Sequence, residues 1–218
     1  SITAARVREY ITGDNLNHMH WPSIAKTGRL MTKEFESGDT SEDLWILLDM
    51  NGVTQVGAGP KGTEETAITL AASIVQMLID AGKSVGIAMT GNDRYFHSPE
   101  RGNDQLERIM KSLALVRATG QVDLADLFAR SSAIIDQSSK VIIIAPWPSQ
   151  AIDKLQESSL GRKVKKLPIL LDIGSFGRHG DARWIKNPQV DFEDGAYLFQ
   201  RDDDPANALE YVIRELTI

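Results

Sequence analysis

The 218-residue sequence contains no cysteine, which excludes a disulfide framework and any metal site built from thiolates. It also lacks a basic excess, because 24 Lys and Arg residues face 30 Asp and Glu residues, for a formal charge of −6. This balance argues against a general nucleic-acid-binding protein, whose surface is normally basic. No run of about 18 consecutive apolar residues occurs, so these residues predict no membrane-spanning helix.

An alternation of short apolar runs and amphipathic segments fills the sequence after residue 43. Apolar runs of strand length occupy 44–48, 84–89, 141–145 and 167–173. Helical spacing of apolar residues extends over 63–81, 104–118, 123–135, 150–157 and 205–216. Continuous apolar strands alternating with helices are typical of a mostly parallel sheet that is covered on both faces. We therefore predict an α/β fold, a doubly wound three-layer sandwich, in a single domain over residues 1–218.

The first 40 residues do not follow this alternation. We expect residues 1–40 to form an extended segment that packs along the edge of the sheet. The sequence opens at Ser1 and enters a dense motif at once. We therefore expect it to be a fragment of a longer protein.

Ligands of doubly wound sheets bind beyond the carboxyl ends of the strands. In this sequence those ends fall at 49–53, 90–94, 146–149 and 172–176. We predict a partner-binding rim there, formed by Asp49, Asn51, Thr90, Asp93, Trp147 and Ser149. Trp147 stands between two prolines, so it is either an exposed anchor for a partner or a buried lid over the sheet.

The loop after the first long apolar run resembles the metal-ion-dependent adhesion site of von Willebrand factor A domains. That site uses Asp-x-Ser-x-Ser, whose carboxylate and hydroxyls suit a hard cation such as Mg²⁺. Here Asp49 is present, but Asn51 and Val53 replace the two serines. The second acid expected after residues 141–145 is also missing. We therefore predict a degenerate site without metal or cofactor, in which only Asp49 and Asn51 are left as ligands.

The same stretch also resembles the first motif of haloacid-dehalogenase-like phosphatases. In that alternative Asp49 is the nucleophile and Thr90 grips the phosphate. Asn51 occupies the position of the general acid/base, and an amide cannot shuttle protons. We therefore predict no enzymatic activity and keep the phosphatase as the alternative.

Two further patterns are weak. The G-x-G-x-x-G string over residues 57–62 lies too far from the strand for a dinucleotide fingerprint, and Pro60 lacks an N–H group. We interpret it as a flexible loop leading to a helix N-cap at Thr63. His18 and His20 are two residues of a type that binds zinc, but two ligands do not make a site.

The opening segment carries the most specific motif of the sequence. Its characteristic residues are Arg8, Tyr10, Gly13, Asp14, His20, Trp21 and Glu34. Together with the G-R-L and K-E-F-E stretches, they resemble the signature of the bacterial domain of unknown function 58. The similarity continues through E-E-T-A-I-T-L-A-A-S-I to Gly102, with departures at Asn17, Met19 and Lys26.

The resemblance implies a von Willebrand factor A-like fold and transmembrane helices upstream of the domain. It also implies a MoxR-type AAA+ ATPase as partner, with which members are thought to remodel client proteins. It implies no catalytic residues. Within the signature we expect Asp14 and Arg8 to pair or to cap the turn at Gly13. We expect Tyr10, Trp21 and Phe35 to bury an apolar face against the edge of the sheet.

We therefore predict a non-enzymatic protein-interaction domain. It is expected to be the cytoplasmic part of a membrane-anchored protein. A purely structural domain is the third alternative, and it predicts that changes at the rim alter only stability.

Overall fold

The computed structural model describes residues 6–10, 19, 21–34, 42–131, 135, 138–149, 152, 154–155, 164–177 and 195–216. The chain divides into two compact units, residues 1–41 and 42–218. Each unit is described by itself below. The single domain and the packing of residues 1–40 on the sheet edge therefore stay predictions.

The first unit contains an antiparallel pair of strands, β1 (Arg6–Glu9) and β2 (Met31–Glu34). Helix α1 (Trp21–Thr27) lies between them in the sequence. The prediction of an extended segment missed this helix, although Pro22 in its first turn and Gly28 after its end are standard helix boundaries. Gly28 adopts φ +67°, and its N–H donates to the carbonyl of Ile24 at 2.8 Å.

The second unit is built on a six-stranded sheet with the order β5-β4-β3-β6-β7-β8. Its strands are β3 (Leu44–Leu48), β4 (Val85–Thr90), β5 (Arg94–Glu100), β6 (Lys140–Trp147), β7 (Lys165–Asp172) and β8 (Tyr197–Phe199). All neighbouring pairs are parallel except β4 and β5. Because β3 and β6 lie in the middle, the chain winds outward in both directions from their junction, which confirms the predicted doubly wound sheet.

Helices cover both faces of the sheet. The long helices are α2 (Thr63–Asp80), α3 (Asn103–Leu115), α4 (Leu124–Ser131) and α6 (Pro205–Leu216), with a short α5 (Ile173–Phe176) after β7. Ile152, Lys154 and Leu155 are also helical. Among the described residues, no helix has the length and apolar character needed to cross a membrane.

Two apolar clusters separated by the sheet form the core. Leu44, Ile46 and Leu48 of β3 pack with α2, α3 and α6 on one face. Trp45 and Leu47 point to the other face and pack with α4. This division follows from the two-residue period of a strand, and it gives the predicted three layers.

The structure differs from the predicted elements at three strands. Strand β6 extends beyond the predicted run 141–145 and includes Pro146 and Trp147. The proline is tolerated because hydrogen bonding between β6 and β3 ends at Ile144, so Pro146 has no partner on that side. Strand β5 was not predicted, since its sequence RYFHSPE is half exposed and contains Pro99. Strand β8 has only three residues and was also missed.

Candidate functional site

Asp49 follows β3 and is buried, with 2% of its surface exposed. Its Oδ1 accepts the N–H of Asn51 at 2.9 Å, and its Oδ2 accepts the hydroxyl of Thr54 at 3.4 Å. The side-chain oxygen of Asn51 in turn accepts the N–H of Val53 at 3.0 Å. We call residues 49–54 the closed turn, because its acid and its amide both bond to backbone groups of the same turn.

A chain of hydrogen bonds joins the closed turn to the start of α2. The side-chain amide of Gln55 donates to the carbonyl of Asp49 at 2.9 Å. The hydroxyl of buried Thr63 donates to the side-chain oxygen of Gln55 at 2.7 Å and accepts the N–H of Val56 at 2.8 Å. Thr63, the first residue of α2, therefore fixes the position of the turn relative to the helix.

The environment of Asp49 shifts its protonation. Burial raises the pKa of its carboxyl group from the ordinary 3.8 to about 6, against the opposing hydrogen bonds from Asn51 and Thr54. The negative charge of Asp123 adds to the increase. Perturbed carboxylates of this kind occur at functional sites, but buried structural acids show them too.

Asp123 is an acid near Asp49 that sequence reasoning missed. It precedes α4 and accepts the N–H of Asp126 at 2.8 Å, as a helix cap does. The ammonium group of Lys154 bonds to its other oxygen at 2.8 Å and lowers the pKa of Asp123. Its sequence context indicates a cap, whereas its proximity to Asp49 depends on the tertiary fold.

These contacts bear on the predicted metal ligands. The oxygens of Asp49 and the side-chain oxygen of Asn51 already accept hydrogen bonds inside the closed turn. Val53 supplies no side-chain ligand atom. Among the described residues, no three His, Asp or Glu side chains form a cluster suited to a metal ion.

Three loops meet beside the closed turn at the carboxyl edge of the sheet. The N–H of Gly52 donates to the carbonyl of Gly120 at 3.0 Å. The N–H of Asn92 donates to the carbonyl of Arg117 at 3.0 Å, and the side-chain oxygen of Asn92 accepts the N–H of Arg117 at 2.8 Å. We call residues 51–53, 91–93 and 115–120 the carboxyl-edge rim.

Close backbone contacts make the carboxyl-edge rim dense. A Cβ atom on Gly52 would lie 2.5 Å from the carbonyl oxygen of Ala118. A Cβ atom on Gly91 would lie 2.2 Å from the carbonyl oxygen of Arg117. Both glycines are therefore required by the approach of residues 117–118, since no real side chain fits at such distances.

Two apolar side chains project from this rim. Val53 is 88% exposed and Leu115 is 63% exposed. Arg117 is exposed as well, and its guanidinium donates to the carbonyl of Val116 at 2.6 Å. Sequence reasoning included Val53 in the rim only as a failed metal ligand and did not include Leu115.

The remaining predicted rim residues are not all at this surface. Thr90 ends β4 and pairs with Arg94 across the hairpin. Asp93 lies exposed in that hairpin turn, where its Oδ1 accepts the N–H of Arg94 at 2.7 Å. Ser149 is half-buried, and its carbonyl accepts the N–H of Ile152 at 3.1 Å.

Trp147 is buried. Only 6% of its surface is exposed, and it packs in the second core cluster. Of the two alternatives for Trp147, the structure thus favours the lid over the exposed anchor. The partner contact predicted for it is corrected accordingly.

The signature residues lie in the first unit. Arg8 in β1 pairs with Thr32, Glu34 ends β2 opposite Arg6, and the N–H of Tyr10 donates to the carbonyl of Leu30 at 2.9 Å. Gly13, Asp14, His20 and Phe35 lie outside the described residues, as do His18 and the predicted pairing of Asp14 with Arg8.

The predicted packing of Trp21 against the edge of the sheet is a contact between the two units and stays a prediction. Trp21 is 69% exposed. As the first residue of α1 it has a position that the prediction of an extended segment did not contain.

Comparison with known proteins adds two kinds of similarity. "Uncharacterized protein YeaD" of Bacillus subtilis (strain 168) is 28% identical over 130 residues, which are 60% of this chain but 29% of that protein. The crystal structure of the conserved hypothetical protein BatB from Bacteroides thetaiotaomicron superposes with a TM-score of 0.52 at 9% identity, covering 81% of this chain and 97% of that one. This second similarity concerns the fold alone.

A von Willebrand factor type A structure from Catenulispora acidiphila has a TM-score of 0.46 at 12% identity, with 86% of this chain and 43% of that one covered. The model of the family described as "Protein of unknown function DUF58" matches residues 6–150, most of the chain. The family predicted from the opening motif is thereby confirmed, and the chain belongs to the DUF58 family.

Proposed function

We propose that this domain is a non-enzymatic protein-interaction module that docks a partner on the carboxyl-edge rim without a metal ion. The observation that carries the proposal is the pair of exposed apolar side chains on a hydrogen-bonded backbone frame. Val53 stands at the third ligand position of the degenerate metal motif, where the intact motif has its second serine, and is 88% exposed. Leu115 is 63% exposed at the end of α3, beside this loop.

The position of the rim supports a binding role. Ligands of doubly wound sheets bind beyond the carboxyl ends of the strands, and the rim lies at this edge. Its exposed side chains combine apolar surface with the cation of Arg117, a composition found where protein partners meet. An exposed valine alone would need no explanation, but here it lies on a loop that the α3–α4 connection holds in place.

The closed turn supports binding that is independent of a metal ion. A cation at Asp49 would have to share a carboxylate that is 2% exposed with the N–H of Asn51 and the hydroxyl of Thr54. It would also have to be coordinated without a hydroxyl at residue 53. Val53 adds apolar contact area at the position where the intact metal motif has a coordinating hydroxyl group.

We further propose a MoxR-type AAA+ ATPase as the partner, because the DUF58 resemblance implies it. The chain spans 29% of the length of the curated relative that it matches, so the partners of the whole protein are part of this proposal. So is the anchoring of the full-length protein in a membrane, with this domain in the cytoplasm.

The phosphatase alternative has less support. A nucleophilic carboxylate must reach the phosphorus atom, whereas Asp49 is 2% exposed and both of its oxygens accept hydrogen bonds. Asn51 cannot act as the general acid or base. We expect no turnover of a generic phosphoester, and turnover that Asp49→Asn abolishes would refute the non-enzymatic proposal.

Binding to the MoxR-type ATPase tests the proposal directly. The whole chain is immobilised and titrated with the nucleotide-free ATPase, in Mg²⁺ and in EDTA. Nucleotide is left out because the ATPase itself needs Mg²⁺ to hold it. We expect equal affinity in both buffers, and loss of affinity by about tenfold or more for Val53→Asp and Leu115→Asp.

Ile213→Asp is the matched control. Ile213 is an exposed apolar residue in α6, at 37% exposure, and it lies outside the carboxyl-edge rim. It should bind like the unchanged chain. Equal losses of affinity in all three variants would refute the rim as the contact surface. Absence of binding by the unchanged chain would refute the ATPase as partner. Loss of binding in EDTA would refute the proposal that the metal site is degenerate.

A further inference from the structure

A cavity of about 420 Å³ opens beside the second half of the connection between β3 and α2. It is lined by Val56, Gly57, Ala58, Lys61, Phe176, Gly177 and Arg201. These residues come from three places in the sequence: the loop before α2, the end of α5 and the turn after β8. We call this space the glycine-loop cavity.

Two cationic side chains line the glycine-loop cavity. Lys61 and Arg201 are exposed, and neither forms an ion pair with a described residue. Among the described residues, no acid lines the cavity. Two nearby acids are used locally, since Asp203 accepts the N–H of Gln200 at 2.8 Å and Asp204 accepts the N–H of Ala206 at 2.9 Å.

The backbone adds hydrogen-bond donors to these charges. The N–H groups of Gly57, Ala58 and Gly59 make no hydrogen bond to any described residue. Gly57 and Gly59 have φ values of +79° and +66°, which favour glycine. Ala58 between them is extended, with φ −141° and ψ 149°, so these N–H groups are individual donors and not a continuous anion nest.

Glycine is required at residue 57 for a second reason. A Cβ atom there would lie 3.1 Å from the Cα atom of Gly62 and 3.5 Å from the carbonyl oxygen of Phe176. The loop before α2 thus passes close to the end of α5. Gly57 and Ala58 line the same cavity as both cations.

We infer that the glycine-loop cavity binds the phosphate group of a small molecule. Phosphate matches these donors, because it has several acceptor oxygens for N–H groups and a charge that arginine and lysine both recognise. The cavity volume falls within the range of about 300–1,000 Å³ that is usual for small-molecule sites. Val56, Ala58 and Phe176 supply an apolar wall for the rest of the ligand.

The inference gives the G-x-G-x-x-G string a role different from a dinucleotide fingerprint. The donors that line the cavity are the N–H groups of Gly57 and Ala58, which precede the short 3₁₀ helix Gly59–Lys61, and not those of the first turn of α2. Pro60, whose missing N–H weakens a dinucleotide site, is not among the residues that line the cavity. The proposal is independent of the partner-binding function, because the cavity shares no residue with the carboxyl-edge rim.

Amide NMR of the whole ¹⁵N-labelled chain tests it, with inorganic pyrophosphate as the probe. We expect saturable shifts at Gly57, Ala58 and Gly59. ADP is titrated in parallel to test whether the apolar wall contributes to affinity. We expect ADP to bind more tightly than pyrophosphate. The dicarboxylate glutarate is expected to bind at least about tenfold more weakly, because it carries a smaller negative charge and offers fewer acceptor oxygens in total.

Three variants locate the site. Lys61→Ala and Arg201→Ala should each weaken pyrophosphate binding by about tenfold or more, as loss of a hydrogen bond to a charged group does. Ala58→Glu places a carboxylate in the cavity and should abolish binding. Arg101→Ala, which removes an exposed cation after β5, is the control and should bind normally.

Each contrary result refutes the inference. Pyrophosphate that shifts no amide of residues 57–59 would show that the loop is not an anion site. Equal binding of glutarate would refute the assignment to phosphate. If the Arg101→Ala control lost as much binding as Arg201→Ala, the effect would come from net charge alone. Thermal unfolding of each variant shows that the comparison is made on folded protein.

Discussion

The connection between β3 and α2 has two halves that use their polar groups in opposite ways. In the closed turn, the oxygens of Asp49 and the amide of Asn51 accept hydrogen bonds from the same few residues. In the loop that follows, the N–H groups of residues 57–59 have no partner among the described residues, and Lys61 has no counter-charge there. The acid of the closed turn is thus bonded within the turn, whereas the second half keeps backbone donors that bond to no described residue.

This difference shows that the type of residue in a loop does not decide whether the loop is a site. Asp49 and Asn51 belong to the residue types that bind metals, but such residues also close turns by bonding their own backbone. Glycine has no chemistry of its own, but it leaves the N–H groups accessible. A polar group is available to a ligand when the fold gives it no other partner.

The largest expected effect comes from Gly52→Ala in the closed turn. Its new Cβ would lie 2.5 Å from the carbonyl oxygen of Ala118. We expect a loss of about 3 kcal/mol in the free energy of unfolding, because backbone atoms must shift. Urea denaturation measures it.

Gly59→Ala in the open half is the counterpart. Nothing lies within 4 Å of its added Cβ, so only its φ of +66° opposes the change. We expect a loss of roughly 1 kcal/mol. Equal losses for the two variants would contradict the contrast between a dense and an open half.

The next effect is the pH dependence caused by Asp49. Its pKa rises from 3.8 in the unfolded chain to about 6 in the fold, so the folded state holds the proton more tightly between these values. Stability from this group is therefore present at low pH and is lost as the pH rises through about 6, by on the order of 3 kcal/mol.

Asp49→Asn should remove this loss. We expect it to stabilise the chain by about 2 kcal/mol near pH 8 and to have little effect near pH 4, because the amide stays neutral while its oxygen still accepts the N–H of Asn51. Denaturant unfolding across this range measures the effect. Asp93→Asn removes an exposed carboxylate and is the control. Destabilisation by Asp49→Asn near pH 8 would show that the negative charge of Asp49 is itself needed for stability.

Thr63→Val probes the junction of the two halves. The change leaves the N–H of Val56 and the side-chain oxygen of Gln55 without their partner. We expect a loss of about 1–2 kcal/mol, the usual result of leaving buried polar groups unpaired. Thr63→Ser keeps the hydroxyl and should lose less, so equal losses would assign the effect to packing.

The smallest effect on stability is expected for Lys61→Ala. Lys61 is exposed and forms no ion pair with a described residue, so the free energy of unfolding should change by no more than ~0.5 kcal/mol. The same variant should lose affinity for pyrophosphate. A clear loss of stability would indicate that Lys61 is a structural residue rather than a ligand contact.

Most of the sheet could be predicted from the sequence because burial determines its composition. Strands β3, β4, β6 and β7 are continuous apolar runs, since helices cover both of their faces. Helix α6 begins and ends at the predicted residues, Pro205 and Leu216. Strand β5 could not be predicted in this way, because it is the antiparallel edge strand and its side chains are alternately exposed.

The site could be predicted less well than the fold. Asp49 was predicted to follow the first buried strand, and it lies directly after β3, where its carboxylate accepts the N–H of Asn51. The proximity of Asp123, the burial of Trp147 and the cavity beside Lys61 all depend on how distant segments meet. Such contacts have no signal in the spacing of residues along one element.

The backbone hydrogen bonds between Gly52 and Gly120 and between Asn92 and Arg117 have a consequence for how binding specificity can change. They fix the shape of the carboxyl-edge rim through main-chain atoms, so the docking proposed for this surface would require little ordering of loops. The side chains of Val53 and Leu115 project outward and carry none of these bonds. Related chains can therefore exchange residues at these two positions and acquire different partners while the supporting backbone stays the same.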